Sequence, residues 1–274
     1  MENNQSIFKF FRINKKYIDI KALIIGGSDE RNKKCKKSNF RYQFYTLDGI
    51  NSPDINFQFY LSESSGEKIL YKTKHYSSDS LYEPNSAVAK EWNMKGLNSY
   101  EKIVVKTYAA KDLNLPLDTS LLKIDVQGAE IDILKGYKGW EKQYLAVEME
   151  CDIDQFYLNS PTIGQKLLFM ENKGFSIAHI KKVEKWRSEY LYGNKGKLVS
   201  LDILFTRKPK NQKEKVNLAG IFRFYGLYSE YHKILNKKRK ISFFQLYFPF
   251  RETIGLLIVK IGRFIQRKGD WLVS

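Results

Sequence analysis

Two cysteines in 274 residues cannot build a disulfide framework. Cys35 and Cys151 have neither the neighbours of a catalytic thiol nor the spacing of a metal site, and they read as reduced thiols in a cytoplasmic protein. Histidine is almost as scarce, with three residues, and no His/Asp/Glu spacing indicates a metal. No apolar run approaches the roughly 20 residues that span a bilayer. The opening segment, MENNQSIFKFFRINKKYIDI, is too polar for a signal peptide. There is no internal repeat, and no stretch is polar enough to be disordered on composition.

What the chain does have is apolar mass and positive charge. Hydrophobic residues make up 43% and aromatics 15%, enough for one sizeable core with an appendage. The net charge is +17, and residues 211–274 hold 13 Lys and Arg against 4 Asp and Glu. More than half of the excess thus sits in less than a quarter of the chain. A basic tail suits phospholipid headgroups, nucleic acid or an anionic glycan, or else is a solvated lysine-rich surface.

Residues 1–20 read as a lead-in helix or irregular segment. KALII at 21–25 is a buried strand that stops at Gly26-Gly27. YQFYTL at 42–47 is a second strand ended by Asp48-Gly49, INFQFYL at 55–61 a third, and 67–72 a hairpin arm. Residues 75–99 show no period and read as a long loop, the kind of segment that often carries function. After a strand at 102–107 comes LLKID at 121–125, a buried strand with a polar end. GAEIDILK at 128–135 has helical spacing, with Gly136 as its C-cap. A strand at 144–150, a helix at 163–172, and strands at 175–180 and 198–206 flanking a basic loop complete the pattern. Strands alternating with helices predict an α/β, doubly wound, mostly parallel sheet, and the last strand pair, lacking a helix between, should be antiparallel.

LLKIDVQGAEIDILKG, residues 121–136, resembles the signature of the FkbM methyltransferase family. The surrounding order agrees: Ser62-Glu63 after a strand, SSDSLYEP, VKTYAAKDL, a strand bearing Glu148, FYLNSP, a helix ending Lys173-Gly174-Phe175, and Asp202 in a final strand. The resemblance covers residues 21–208. It implies a Rossmann-like class I methyltransferase domain and S-adenosylmethionine as cofactor; residues 209–274 lie outside it and read as a basic helical C-terminal extension. Gly26 and Gly27 would allow close backbone approach to the methionine part. Asp48 would accept from the ribose hydroxyls. Ser62 and Glu63 would meet the adenine. Ile24 stands where the family's first strand carries an acid, and Ser28, Asp29 and Glu30 follow where Asn and Gly are common; the missing glycine turn argues against NAD.

Lys123 and Asp125 are two apart on a strand and share a face. They read either as a catalytic Asp with a Lys that pairs with it or contacts substrate, or as a buried ion pair. Glu130, in the first helical turn, suits the helix dipole. Glu148 and Glu150 share a face, and Glu148 matches the family's strand-end acid. Methyl transfer to an alcohol needs a group that takes its proton, for which Asp125 and Glu148 lead, with His75 behind them. The implied activity is O-methylation of a hydroxyl on a sugar, surface glycan or secondary metabolite. An RNA methyltransferase is the alternative, though no RNA-binding module accompanies the charge, and a non-catalytic scaffold is the third.

In the tail, ETIGLLIVKIGRFIQRKG reads as a helix with Ile254, Leu257, Ile258, Ile261 and Ile265 on one stripe and Lys260, Arg263, Arg267 and Lys268 beside it. A stripe flanked by cations suits an anionic membrane surface through residues 251–268; packing on the domain or across a homodimer interface is the other use. The full chain is therefore expected to sediment with anionic but not zwitterionic liposomes, and less so as salt rises. A chain ending near Lys210 is expected to stay soluble and unbound, and equal sedimentation of the full chain and that shorter one would count against the membrane role.

Overall fold

The computed structural model describes residues 18–26, 35–37, 40–49, 55–186 and 196–235. The lead-in to residue 17, Gly27 and the 251–268 segment lie outside the described residues. The chain divides after Tyr231 into two units, and the first is the one described here.

In chain order its elements are β1 (Ile18–Ile25), β2 (Cys35–Lys37), β3 (Phe40–Asp48), β4 (Phe57–Gln58), β5 (Tyr60–Ser62), β6 (Gly66–Thr73), α1 (Ser86–Glu91), β7 (Tyr100–Ala109) and β8 (Leu121–Ile124). There follow α2 (Glu130–Gly136), α3 (Trp140–Gln143), β9 (Ala146–Asp152), α4 (Ile163–Asn172), β10 (Phe175–Trp186), β11 (Lys197–Arg207) and α5 (Gln212–Phe224). The main sheet runs β10-β11-β9-β8-β1-β3-β2, with β4 beside β3. Neighbouring pairs among β3, β1, β8 and β9 are parallel, and β11 returns antiparallel against both β9 and β10. The expected α/β sheet with an antiparallel final strand is thus what forms. Chain order reverses direction at β1, which has β3 on one side and β8 on the other. Such a switch point opens a crevice at the carboxyl ends of the strands.

The reason β1 takes the centre is in its composition. Ala22 to Ile25 are all buried, and a strand covered on both faces reads as a continuous apolar run. One face of the sheet packs Leu23, Leu122, Val147 and Phe205 against Ile131 and Leu134 of α2. Trp140 extends this core, stacking on Phe175 at 5.3 Å and Phe169 at 6.1 Å between ring centroids.

Across the opposite face lies α5. Gly220 lets it approach: a Cβ there would stand 2.7 Å from Ile20 and 2.8 Å from Phe40. The Tyr42 hydroxyl donates to the Gly220 carbonyl at 2.8 Å, and the Phe224 ring sits 5.0 Å from that of Tyr42.

Several segments differ from their sequence reading. β1 begins at Ile18, inside the segment read as a lead-in. The 55–61 strand breaks at Phe59, whose N–H turns to the Asp48 carbonyl at 2.9 Å. β6 pairs antiparallel with β7, and β5 pairs parallel with it, making a separate three-stranded sheet. The 75–99 loop contains α1, capped by Asn85, whose Oδ1 accepts from the Ala87 and Val88 N–H groups; six residues are too few to show a helical period. Gly136 is the last residue of α2 rather than its cap. The basic loop at 181–197 is strand at both ends, through Trp186 and from Lys197. No helix among the described residues is long and apolar enough to cross a membrane.

Because α5 covers the sheet, it belongs to the core of the first unit. Leu218, Ile221 and Phe222 are buried, and each such side chain contributes about 1.5–3 kcal/mol, a large fraction of the roughly 5–15 kcal/mol that holds a domain. A chain ending at Lys210 is expected to lose cooperative unfolding in far-ultraviolet circular dichroism melts. A cooperative melt within a few degrees of the full chain would show α5 to be dispensable.

Candidate active site

A cleft of about 550 Å³ opens at the carboxyl ends of β1, β3, β8 and β9. Three strand ends are tied together beneath it. The Gly26 N–H donates to the Leu47 carbonyl at 3.0 Å, and the Asp125 N–H to the Ile25 carbonyl at 2.9 Å. Gly26 has φ of +78°, and a Cβ on it would come within 1.8 Å of the Asp125 carbonyl oxygen. Only glycine fits where β1 and β8 converge.

Gly26, Asp48 and Asp125 all line the cleft. Asp48 closes β3, with Phe59 and Tyr60 forming an aromatic wall nearby. Burial, together with Asp48 and Asp79, raises the Tyr60 phenol above its ordinary value. Lys123 lies behind Asp125, its Nζ 3.3 Å from Oδ2, as their shared strand face implies.

The other sequence candidates sit elsewhere. Ser62, the last residue of β5 in the small sheet, is buried, donating to the Ser64 carbonyl at 2.6 Å, with Thr107 Oγ1 at 3.2 Å. Glu63 is exposed and faces Lys135 at 3.8 Å. Neither is among the residues lining the cleft. Glu148 is 1% exposed. It accepts from Lys181 Nζ at 2.8 Å and from the hydroxyl of Tyr225, just past α5. It is also absent from the lining, where its strand neighbour Glu150 appears instead. His75 is exposed and packs its ring edge over Gly96.

The turn from β8 into α2 is held by Glu130. Its Oε1 accepts from the N–H groups of Val126 at 3.4 Å and Gly128 at 3.1 Å. Its Oε2 pairs with Lys166 Nζ at 2.7 Å, both side chains being 1% exposed. Lys166 also donates to the Glu150 carbonyl at 3.0 Å. Burial alone would lower the Lys166 ammonium, but the Glu130 and Asp152 carboxyls outweigh it and the net shift is upward. Removing one member of such a pair typically costs about 3–5 kcal/mol, because the other is left as a buried charge.

Sequence reading assigns no role to Lys166 or Gln127, and it meets the 77–81 segment only as part of SSDSLYEP and of the long 75–99 stretch. Ser77 to Leu81 form one wall of the cleft. Their latch is Ser80, whose hydroxyl donates to the Gln127 carbonyl at 2.6 Å. A lysine on a helix reads as solvated, so nothing local marks Lys166. Among the described residues no group of three or more His, Cys, Asp or Glu could hold a metal ion.

Burial governs the protonation of Glu150. Burial, with Asp125 and Asp152 close by, pushes its carboxyl up to about 9. Burial likewise carries Asp152 up to about 7, against the pull of Lys166. A folded chain that keeps a proton which the unfolded chain has lost becomes less stable as pH rises between the two pKa values. For Glu150 that window runs from the ordinary carboxyl range to about 9, and its upper part lies beyond the range of Asp152. The melting temperature is expected to fall from about pH 7 to 9, with a slope of at most about 1.4 kcal/mol per pH unit from this group. Glu150→Gln should flatten that fall. Parallel melting profiles for the two proteins would place the proton elsewhere.

No curated protein matches the chain. Residues 15–177 match the family described as the Methyltransferase FkbM domain. The match covers more than half of the sequence and includes Gly26, Asp48, Asp125 and Glu150. With a switch-point cleft built on those strand ends, the chain belongs to the FkbM methyltransferase family.

Proposed function

We propose that the chain transfers a methyl group from S-adenosylmethionine to a hydroxyl of a sugar, in a surface glycan or a secondary metabolite. The observation that carries this reading is the cleft at the ends of β1, β3 and β8, with Gly26, Asp48 and Asp125 on its surface. The groups present suit the cofactor. Asp48 offers an acceptor for a pair of ribose hydroxyls. Phe59 and Tyr60 offer an apolar wall for a purine. Gly26 lines the same cleft and would face the amino-acid end. When bound, the cofactor supplies an electrophilic methyl on a cationic sulfur.

The protein's part is to orient the acceptor and manage its proton. Asp125 faces the cleft with Lys123 behind it, and in this reading its carboxylate takes the hydroxyl proton as the acceptor oxygen attacks. Glu150, protonated up to about pH 9, is unsuited to that task near neutrality. It serves instead as a hydrogen-bond donor. The basic 251–268 segment supports a lipid-linked acceptor at an anionic membrane surface.

Titrating S-adenosylhomocysteine into the full chain by calorimetry should give a saturable signal. Asp48→Ala should weaken it at least about tenfold, the loss of about one charge-assisted hydrogen bond. No heat and no thermal shift at millimolar ligand would overturn the reading.

A further inference from the structure

Gln127, in the turn after β8, has φ of +56°. That left-handed region is costly for any residue with a Cβ, and strain of this kind persists where its surroundings or its use demand it. Glycine would take the same backbone without the cost. What glycine would lack is the side chain, and the side chain here is fully engaged. Its Nε2 lies 3.3 Å from Asp125 Oδ1 and 3.2 Å from Glu150 Oε2. Its Oε1 lies 3.0 Å from the Tyr157 hydroxyl. An amide carries two N–H donors and an acceptor, which suits a position between two carboxyls and a phenol. The two acids are the cleft-lining residues of β9 and of the end of β8.

The main chain at this point is secured independently of that side chain. The Ser80 hydroxyl donates to the Gln127 carbonyl, and Glu130 accepts from Gly128 N–H on the far side of the turn. The turn is therefore held without the amide, whereas the Asp125 carboxyl would lose the donor on Oδ1 that stands opposite Lys123 on Oδ2. Tyr157, itself 2% exposed, packs its hydroxyl between the Gln127 amide and the Ser78 carbonyl, 3.0 Å from each.

We propose that Gln127 is a positioning residue that keeps the Asp125 carboxyl separate from Glu150 and in one orientation within the cleft, beside Gly26, where the amino-acid end of the methyl donor would lie. The inference rests on the reading of the cleft as the cofactor site. It assigns to Gln127 an effect on binding that passes through Asp125 and leaves folding untouched.

Asparagine and glycine both tolerate the left-handed backbone, and neither can bridge the two acids, asparagine being one methylene shorter. A residue needed only for the turn would thus be replaced by either without loss. Calorimetric titration of S-adenosylhomocysteine into full-length Gln127→Asn, Gln127→Gly, Asp125→Asn and the Asp125→Asn/Gln127→Gly double variant separates the roles. Both Gln127 variants should bind roughly tenfold more weakly, the scale of one lost hydrogen bond to a charged group, while melting at or above the wild-type temperature. The double variant should bind no more weakly than Asp125→Asn alone, since the two act as a unit. Wild-type affinity in both Gln127 variants, or losses that simply add in the double variant, would overturn the positioning role and leave the cofactor reading standing. A wild-type chain that takes up no S-adenosylhomocysteine would overturn the cofactor reading itself.

Discussion

The cleft depends on one buried ion pair. Glu130 and Lys166 meet at 2.7 Å with almost no exposure, and between them they connect the turn after β8, helix α4 and β9. Glu130 gathers the N–H groups of Val126 and Gly128 into the turn after β8. Lys166 reaches from α4 to the Glu150 carbonyl on β9. A turn with φ of +56° at Gln127 followed by +101° at Gly128 has no regular hydrogen-bond ladder to hold it, so its N–H groups need a dedicated acceptor. That acceptor is a carboxylate buried away from water, which in turn requires a cation. Asp125, Gln127 and Glu150 take their places on the cleft wall as a consequence.

The parts of the fold that could be read in the sequence are those whose cause is local. β1 and β8 are continuous apolar runs because parallel neighbours and helices cover both faces. The 121–136 segment shows its strand, its turn and its helix start in order, and Gly26, Asp48 and Asp125 end their strands where the pattern places them. What escaped reading has non-local causes. Lys166 is an ordinary helical lysine until Glu130 is brought beneath it by the packing of α4. Which of Glu148 and Glu150 meets the cleft depends on α5, which arrives from beyond the family match and covers Glu148. The pairing of β6 with β7 spans the 75–99 stretch, and alternation alone does not say which partner a half-exposed strand will find.

The charge of the chain is sorted in space as well as along the sequence. Asp48, Asp79, Asp125, Glu150 and Glu184 all reach the cleft, in a protein whose net charge is +17. Crowding carboxyls into a partly dry space is what lifts Glu150 and Asp152 from their ordinary range. Charges that repel in this way gain from any cation that enters among them.

Glu148 ties the far side of the sheet into the same arrangement. Its carboxyl is buried on β9 and is satisfied by Tyr225 past the end of α5 and by Lys181 on β10. If α5 lifted away, that carboxyl would lose a donor and the apolar face of β1 and β3 would meet water together. A helix laid on one face of a sheet can open locally, its amides exchanging with solvent far faster than those of a central strand. Here such a local route is penalised, so α5 and the β9-β11-β10 side of the sheet should open as a single cooperative unit, and the slow-exchanging core of the domain extends past the segment in which the family match ends.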